Sequence, residues 1–124
     1  MSKFPKSERL HSKKLIEELF NSKTSFTIYP FRVVYLMKPL QANECHQVLI
    51  SIPKKRFKRA VDRNKLKRRI KEAYRLHKQV LGEEIQNFYL LIGYIYVGRE
   101  IANYQEVEEK LKQSLLRLKE IVDS

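Results

Sequence analysis

Asn64, Lys67, Arg68, Lys71, Arg75 and Lys78 recur at helical steps in this 124-residue chain. At 3.6 residues per turn they fall within an arc of roughly 100°, with Arg63, Lys65 and Arg69 on its flanks. Five cations and an amide on one helical face suit polyphosphate. Arg clamps phosphate oxygens bidentately, Lys acts as a point charge, and Asn reads a base edge or a sugar hydroxyl. The surrounding stretch, Lys54 to Lys78, holds 13 of the 26 Lys and Arg residues and only Asp62 and Glu72 as acids. Thirteen bases less two acids give it +11 of the chain's formal +12. Like charges four residues apart, such as Lys67 with Lys71, destabilise an isolated helix by roughly 0.2–0.5 kcal/mol per pair. An anionic partner offsets that repulsion, and polyphosphate does so by releasing condensed counterions along its backbone.

Other chemistries are poorly supplied. A two-metal nuclease needs several carboxylates converging on one site, whereas the acids here are dispersed, many of them on the last helical segment among Lys110, Lys112 and Arg117. His11, His46 and His77 lack Cys or Glu partners at metal-ligand spacing, so no metal site is expected and His77 reads as a packed imidazole. There is no Gly-rich phosphate loop and no nucleophile elbow. Cys45 is the single cysteine and cannot form an internal disulfide, which suits a reducing cytoplasm. No segment reaches the ~20 apolar residues of a membrane span, the basic start Met1–Lys14 lacks the apolar run of a signal peptide, and the basic helix has no bulky apolar face for a membrane surface.

The elements that must position these groups follow from periodicity. With 43% hydrophobic residues and no linker or repeat, residues 1–124 are expected to form one domain. Ser12 to Phe20 has the spacing of a short amphipathic helix, with Leu15, Ile16, Leu19 and Phe20 on one face and Asn21 at its end. Phe26 to Met37 alternates as one half-buried strand, Pro30 marking an edge or bulge, and Lys38 to Glu44 is a turn. Gln47 to Ile52 is a second strand, ended by Pro53. The basic helix then runs from an N-cap at Asp62 to a stop at Gly82, docking through Leu66, Ile70, Ala73, His77 and Leu81. Phe88 to Val97 is apolar throughout and reads as a central strand covered on both faces. Asn103 and Glu106 have capping-box spacing ahead of a long helix carrying Val107, Leu111, Leu115, Leu118 and Val122. The order implies an α/β layer, with helices covering a small sheet.

The segment Ser51 to Arg75 resembles the protein subunit of bacterial ribonuclease P. That family is marked by a strand ending in Ser-x-Lys-Lys, then Ala-Val-x-Arg-Asn-Arg, then Lys-Arg-x-x-Arg-Glu-Ala-Phe-Arg on a helix. The matching runs are Ser51-Ile52-Pro53-Lys54-Lys55, Ala60-Val61-Asp62-Arg63-Asn64-Lys65, and Lys67-Arg68-Arg69-Ile70-Lys71-Glu72-Ala73-Tyr74-Arg75. Lys65 and Lys71 stand where the family has Arg, Tyr74 replaces Phe, and Arg56-Phe57 replaces a pair ending in Gly. A weaker likeness extends over most of the chain.

The resemblance implies an α+β sandwich on a small, mainly antiparallel sheet, in the order α-β-β-(β)-α-β-α with the family's left-handed βαβ crossover. It implies an accessory subunit of an endoribonuclease that removes the 5′ leader of precursor tRNA. The RNA subunit and its Mg²⁺ would carry the chemistry, with no protein catalytic residue or metal site. Its partners would be the catalytic RNA and precursor tRNA in the cytoplasm, with no membrane and no small-molecule substrate. The family's RNA-subunit face maps to Arg63, Asn64, Lys65, Lys67, Arg68, Lys71 and Arg75, and its leader cleft to Ile16, Phe20, Tyr35, Ser51 and Lys54. The alternative is a noncatalytic RNA-binding module, as in ribosome assembly, which shares the charge pattern without the leader cleft.

Overall fold

The structure is a computed structural model that describes residues 8–39, 45–82 and 88–123. The chain runs α1 (Lys13–Asn21), β1 (Ser25–Ile28), β2 (Phe31–Pro39), β3 (Gln47–Ser51), α2 (Ala60–His77), β4 (Phe88–Tyr96) and α3 (Tyr104–Asp123). The four strands form one sheet in the order β1-β2-β4-β3. The β1/β2 and β2/β4 pairs are antiparallel, and β3 runs parallel to β4, the two being joined through α2. The expected α/β class, mainly antiparallel sheet and element order are all present.

Strand alternation divides the core between the two faces of the sheet. Phe31, Val33, Ile92, Tyr94 and Tyr96 pack with Leu66, Ile70 and Tyr74 of α2 and Val107, Leu111 and Leu115 of α3. On the other face Val34 and Leu91 meet Leu19 of α1 and Leu10. Gly93 allows that second contact, because a Cβ there would lie 2.7 Å from Val34 Cγ2 and 3.2 Å from Leu19 Cδ2. The Tyr94 hydroxyl lies 2.7 Å from Ser114 Oγ, so α3 is tied to the central strand by a buried hydrogen bond.

Of the two expected N-caps one is present, Asn103, and α1 is capped by Ser12, the first residue of its expected span. Ser12 Oγ accepts from Leu15 N at 3.3 Å and Asn103 Oδ1 from Glu106 N at 2.9 Å. Asp62 is not the N-cap of α2. The helix begins at Ala60, with Arg59 in the cap position and Asp62 in the first turn. The Arg59 carbonyl already accepts from Asp62 N and Arg63 N at 3.2 and 3.3 Å, so the chain enters helical geometry before reaching the carboxylate. At the other end a 3₁₀ turn over Lys78–Leu81 extends the helix to Gly82, whose φ of 96° is open to glycine.

Phe26 to Met37 is a hairpin rather than one strand. β1 and β2 pair from Ser25↔Val34 to Ile28↔Phe31 around Tyr29-Pro30. Proline has no N–H for the ladder, and its carbonyl accepts from Val97 N at 2.8 Å, so the chain reverses there. The predicted turn at Lys38 to Glu44 is strand up to Pro39, and residues 40–44 lie outside the described residues. Met37, Phe88 and Val122, expected on apolar faces, are exposed.

His46 gives the fold a pH dependence. Its Nδ1 accepts from Leu90 N at 2.9 Å where β3 begins. Burial pushes the imidazole below its ordinary 6.5, and the Glu8 carboxylate opposes this more weakly. The folded state thus favours the neutral ring. Its contribution is complete above the unfolded value and is lost as pH falls through the lower folded value. Melting temperature should fall on acidification below about pH 6.5, where the unfolded chain takes up the proton first. His46→Asn, which keeps an acceptor near the Nδ1 position, should flatten that part of the loss. Equal slopes in both proteins would remove His46 as the cause.

Candidate nucleic-acid interface

Packing of α2 decides which of its groups face outward. Leu66, Ile70, Ala73 and Tyr74 are buried against the sheet and α3. Asn64, Lys65 and Arg68 are exposed on the opposite side, and Lys67, Lys71, Arg75 and Lys78 are half-buried. Tyr74 joins the docking stripe, while His77 sits at its border with Nε2 3.0 Å from Glu108 Oε2.

The segment before α2 is built as a cationic loop on an aromatic root. The Pro53 carbonyl accepts from Arg56 N and Phe57 N, both at 3.3 Å. Phe57 is buried and packs edge-on against Tyr96, ring centroids 5.7 Å apart. Arg63 Nη1 donates to the carbonyls of Phe57 and Lys58 at 2.7 and 2.9 Å, bracing the loop against the first helical turn. Lys54, Lys55, Arg56, Lys58 and Arg59 are left exposed beside the helix N-terminus, whose unpaired N–H groups add positive potential. Arg69 also has a structural contact, donating to the Ala102 carbonyl at 2.5 Å.

The C-terminal half of the arc is electrostatically different. Arg75 forks onto Glu72 through Nε and Nη2, both at 2.8 Å. That bond holds the Glu72 carboxyl below and the Arg75 guanidinium above their ordinary ranges. Lys78 Nζ donates to both oxygens of Glu8 at 2.9 Å. Arg75 and Lys78, counted as open cations from the helical wheel, are thus engaged by carboxylates. Between Lys54 and Lys78, the cations that have no carboxylate partner among the described residues are those of the loop 54–59 and the first three turns of α2. Lys71 is held below its ordinary value, first by burial and then by the charges of Arg9 and Lys67.

The residues expected to line a leader cleft are only partly brought together. Ile16 packs on the Val34–Leu91 side of the sheet, and Phe20, next to buried Leu19 on α1, is 44% exposed. Ser51 pairs in register with Ile95, one of the residues on that side, and Lys54 is exposed just beyond it. Tyr35 belongs to the opposite face. The two-residue period of β2 places it with Phe31 and Val33, its ring 6.0 Å from Phe26. Phe26 in turn lies under the Arg117 guanidinium, 5.2 Å from the ring centroid. Leu36 and exposed Arg32 alternate with Val34 toward the α1 side, in register with Leu91 and Ile95. The signal for Arg32 in the sequence is the alternation Arg32, Val34, Leu36, which sets it on the face opposite Tyr35.

Among the described residues no three His, Cys, Asp or Glu side chains group to hold a metal ion, and no helix is long and apolar enough to cross a membrane. The Ribonuclease P family profile matches residues 4–119. The ribonuclease P protein component of Porphyromonas gingivalis is 38% identical over 115 residues, covering 91% of this chain and 84% of that protein. The protein of the same name from Dictyoglomus turgidum is 33% identical, covering 93% and 88%. Among solved structures, the ribonuclease P protein of Thermotoga maritima superposes with a TM-score of 0.65 at 24% identity, covering 89% of this chain and 96% of that one. That of Staphylococcus aureus superposes at 0.64 and 20% identity, covering 90% and 94%. Structural likeness at this identity speaks for the fold, and the match across nearly the whole sequence speaks for the family: the chain belongs to the ribonuclease P protein family.

Proposed function

We propose that the chain seats the catalytic RNA of a cytoplasmic ribonuclease P on the outward side of α2 and guides the 5′ leader of precursor tRNA along the α1 side of the sheet. The observation that carries this reading is the separation of α2 into a fully buried stripe and a cationic side continuous with the loop 54–59. Asn64, Lys65, Lys67, Arg68 and Lys71 are the RNA contacts in this reading, and Arg63 shapes the loop that presents them. Phe20 offers an exposed aromatic for stacking, worth ~1–3 kcal/mol per base, and Lys54 neutralises the leader backbone. Ile16 and Ser51 line the apolar floor and edge of the same path. Tyr35 lies across the sheet and is left out of it. Mg²⁺ held by the RNA supplies the charge stabilisation for phosphodiester cleavage, and the protein's part is to bind and orient.

Reconstitution tests the reading. Mixed with a bacterial ribonuclease P RNA at low Mg²⁺, the protein should accelerate cleavage of precursor tRNA over the RNA alone, and no acceleration would overturn it. Phe20→Ala in that complex should weaken binding of leader-bearing precursor by roughly 5- to 150-fold and leave mature tRNA unaffected, if one base stacks there. Unchanged precursor affinity would favour a noncatalytic RNA-binding module.

A further inference from the structure

A cavity of about 500 Å³ opens at the end of the sheet from which the cationic loop departs. There the Tyr29-Pro30 reversal meets the last residues of β4, and Ser51, where β3 ends, pairs with Ile95. Tyr29, Pro30, Tyr96, the segment 99–103 and Glu106 of α3 line it. Its volume lies within the roughly 300–1,000 Å³ of small-ligand sites. Hydrogen bonds hold the walls in shape. The buried Tyr96 hydroxyl donates to the Glu100 carbonyl and accepts from Ala102 N at 3.0 Å, while Arg69 of α2 donates to the Ala102 carbonyl. Tyr96 also carries the Phe57 ring, so the cavity and the root of the cationic loop share a wall. Tyr29 is 56% exposed, yet its hydroxyl is fixed by Arg99 N at 3.3 Å. An exposed ring tethered in this way has little rotamer freedom left to lose when a flat ligand stacks on it.

Charge selects the kind of flat ligand. Glu100 and Glu106 are exposed, and among the described residues neither carboxylate has an ion-pair partner. Two open carboxylates repel a phosphate but accept from the exocyclic amino group of a base, as Glu does with cytosine. Unpaired bases in RNA are recognised by this combination of stacking and hydrogen bonding at an edge.

We propose that the cavity receives one unpaired adenine, cytosine or guanine nucleotide of the catalytic RNA, its base stacked on Tyr29 and its amino group donating to Glu100 or Glu106. The inference rests on the reading of α2 as the RNA face, because the nucleotide reaches the cavity from the backbone held on the loop 54–59. The leader of precursor tRNA is the poorer source. Tyr96 belongs to the α2 and α3 side of the sheet, whereas the leader path runs along the α1 side.

Binding to a bacterial ribonuclease P RNA transcript at fixed salt tests the proposal, with circular dichroism melts to check that each variant folds. Tyr29→Ala should lower affinity roughly 5- to 150-fold, as the loss of one stacked base requires, and Tyr29→Phe should keep most of it. Glu100→Ala combined with Glu106→Ala should lower affinity as well. Charge alone predicts the opposite sign, since two anions leave the neighbourhood of the RNA, so a gain in that double variant would overturn the base contact. In complexes saturated with protein, Tyr29→Ala should bind precursor tRNA as the wild type does. A loss for precursor tRNA, with affinity for the transcript unchanged, would overturn the catalytic RNA as the source of the nucleotide. Unchanged affinity for both RNAs in Tyr29→Ala, with a loss in Arg68→Gln, would overturn the cavity and leave the RNA face of α2 standing. No loss in either variant would overturn both.

Discussion

Replacing Lys65 and Arg68 together by Glu is expected to lower affinity for ribonuclease P RNA by on the order of 10²-fold or more at about 0.15 M salt, while the protein still melts cooperatively. Each phosphate contact contributes a factor near 5 at that salt concentration, from a slope of roughly 0.9 per contact, so losing two accounts for about 25-fold. The two introduced carboxylates then repel the same backbone, adding a further factor of comparable size. Both side chains are exposed and neither has a carboxylate partner among the described residues, so the change in folding free energy should stay within about 0.5 kcal/mol. Filter binding across a salt series and thermal melting by circular dichroism separate the two effects. Loss of the cooperative melt would mean that this side of α2 is needed for packing, contrary to its burial pattern. Retained affinity with an intact fold would move the RNA to another surface.

Phe57→Ala has the opposite signature. Phe57 is buried against Tyr96, which itself packs edge-on against Phe31, and truncating a buried Phe costs about 3–5 kcal/mol. Against a total stability of roughly 5–15 kcal/mol that is a large fraction, expected to lower the melting temperature by about 10–20 °C in a chain of this size. Phe57→Leu, which keeps most of the volume, should cost less than about 1.5 kcal/mol. A melting loss of only about 2 °C in the alanine variant would show that the aromatic root is not anchored as described. The loop consequence is separable. Arg63 holds the carbonyls of Phe57 and Lys58, so loss of the ring also frees the exposed cations at 54–59, and RNA affinity should fall below the melting range too.

Much of the architecture was legible because it rests on period. Leu66, Ile70 and Ala73 recur at helical steps and are buried, as are Val107, Leu111, Leu115 and Leu118. The continuous apolar run from Phe88 became β4, one of the two inner strands, covered on both faces. Boundaries were less legible. Asp62 looks like a cap by residue type, yet the Arg59 carbonyl accepts the first helical bonds and the helix begins at Ala60, before the carboxylate is reached. Pro30 marked a break in the alternation, but whether the break was a bulge or a reversal depended on the pairing of Ser25–Ile28 with Phe31–Val34.

The candidate interface divides in the same way. Residue types and spacing from Lys54 to Lys78 were enough by themselves to determine a one-sided cationic helix, because charge and a 3.6-residue period are local properties, and the runs Ser51–Lys55, Ala60–Lys65 and Lys67–Arg75 carried the resemblance to the family. Tertiary structure alone decided which of those charges stay open. Glu8 and Lys78 are 70 residues apart in sequence and 2.9 Å apart in space, because the N-terminal segment docks on β3. It also decided that Tyr35 and Phe20 lie on opposite sides of the sheet. A strand's alternation separates its neighbours into two sets, and only helix packing says which set faces which partner.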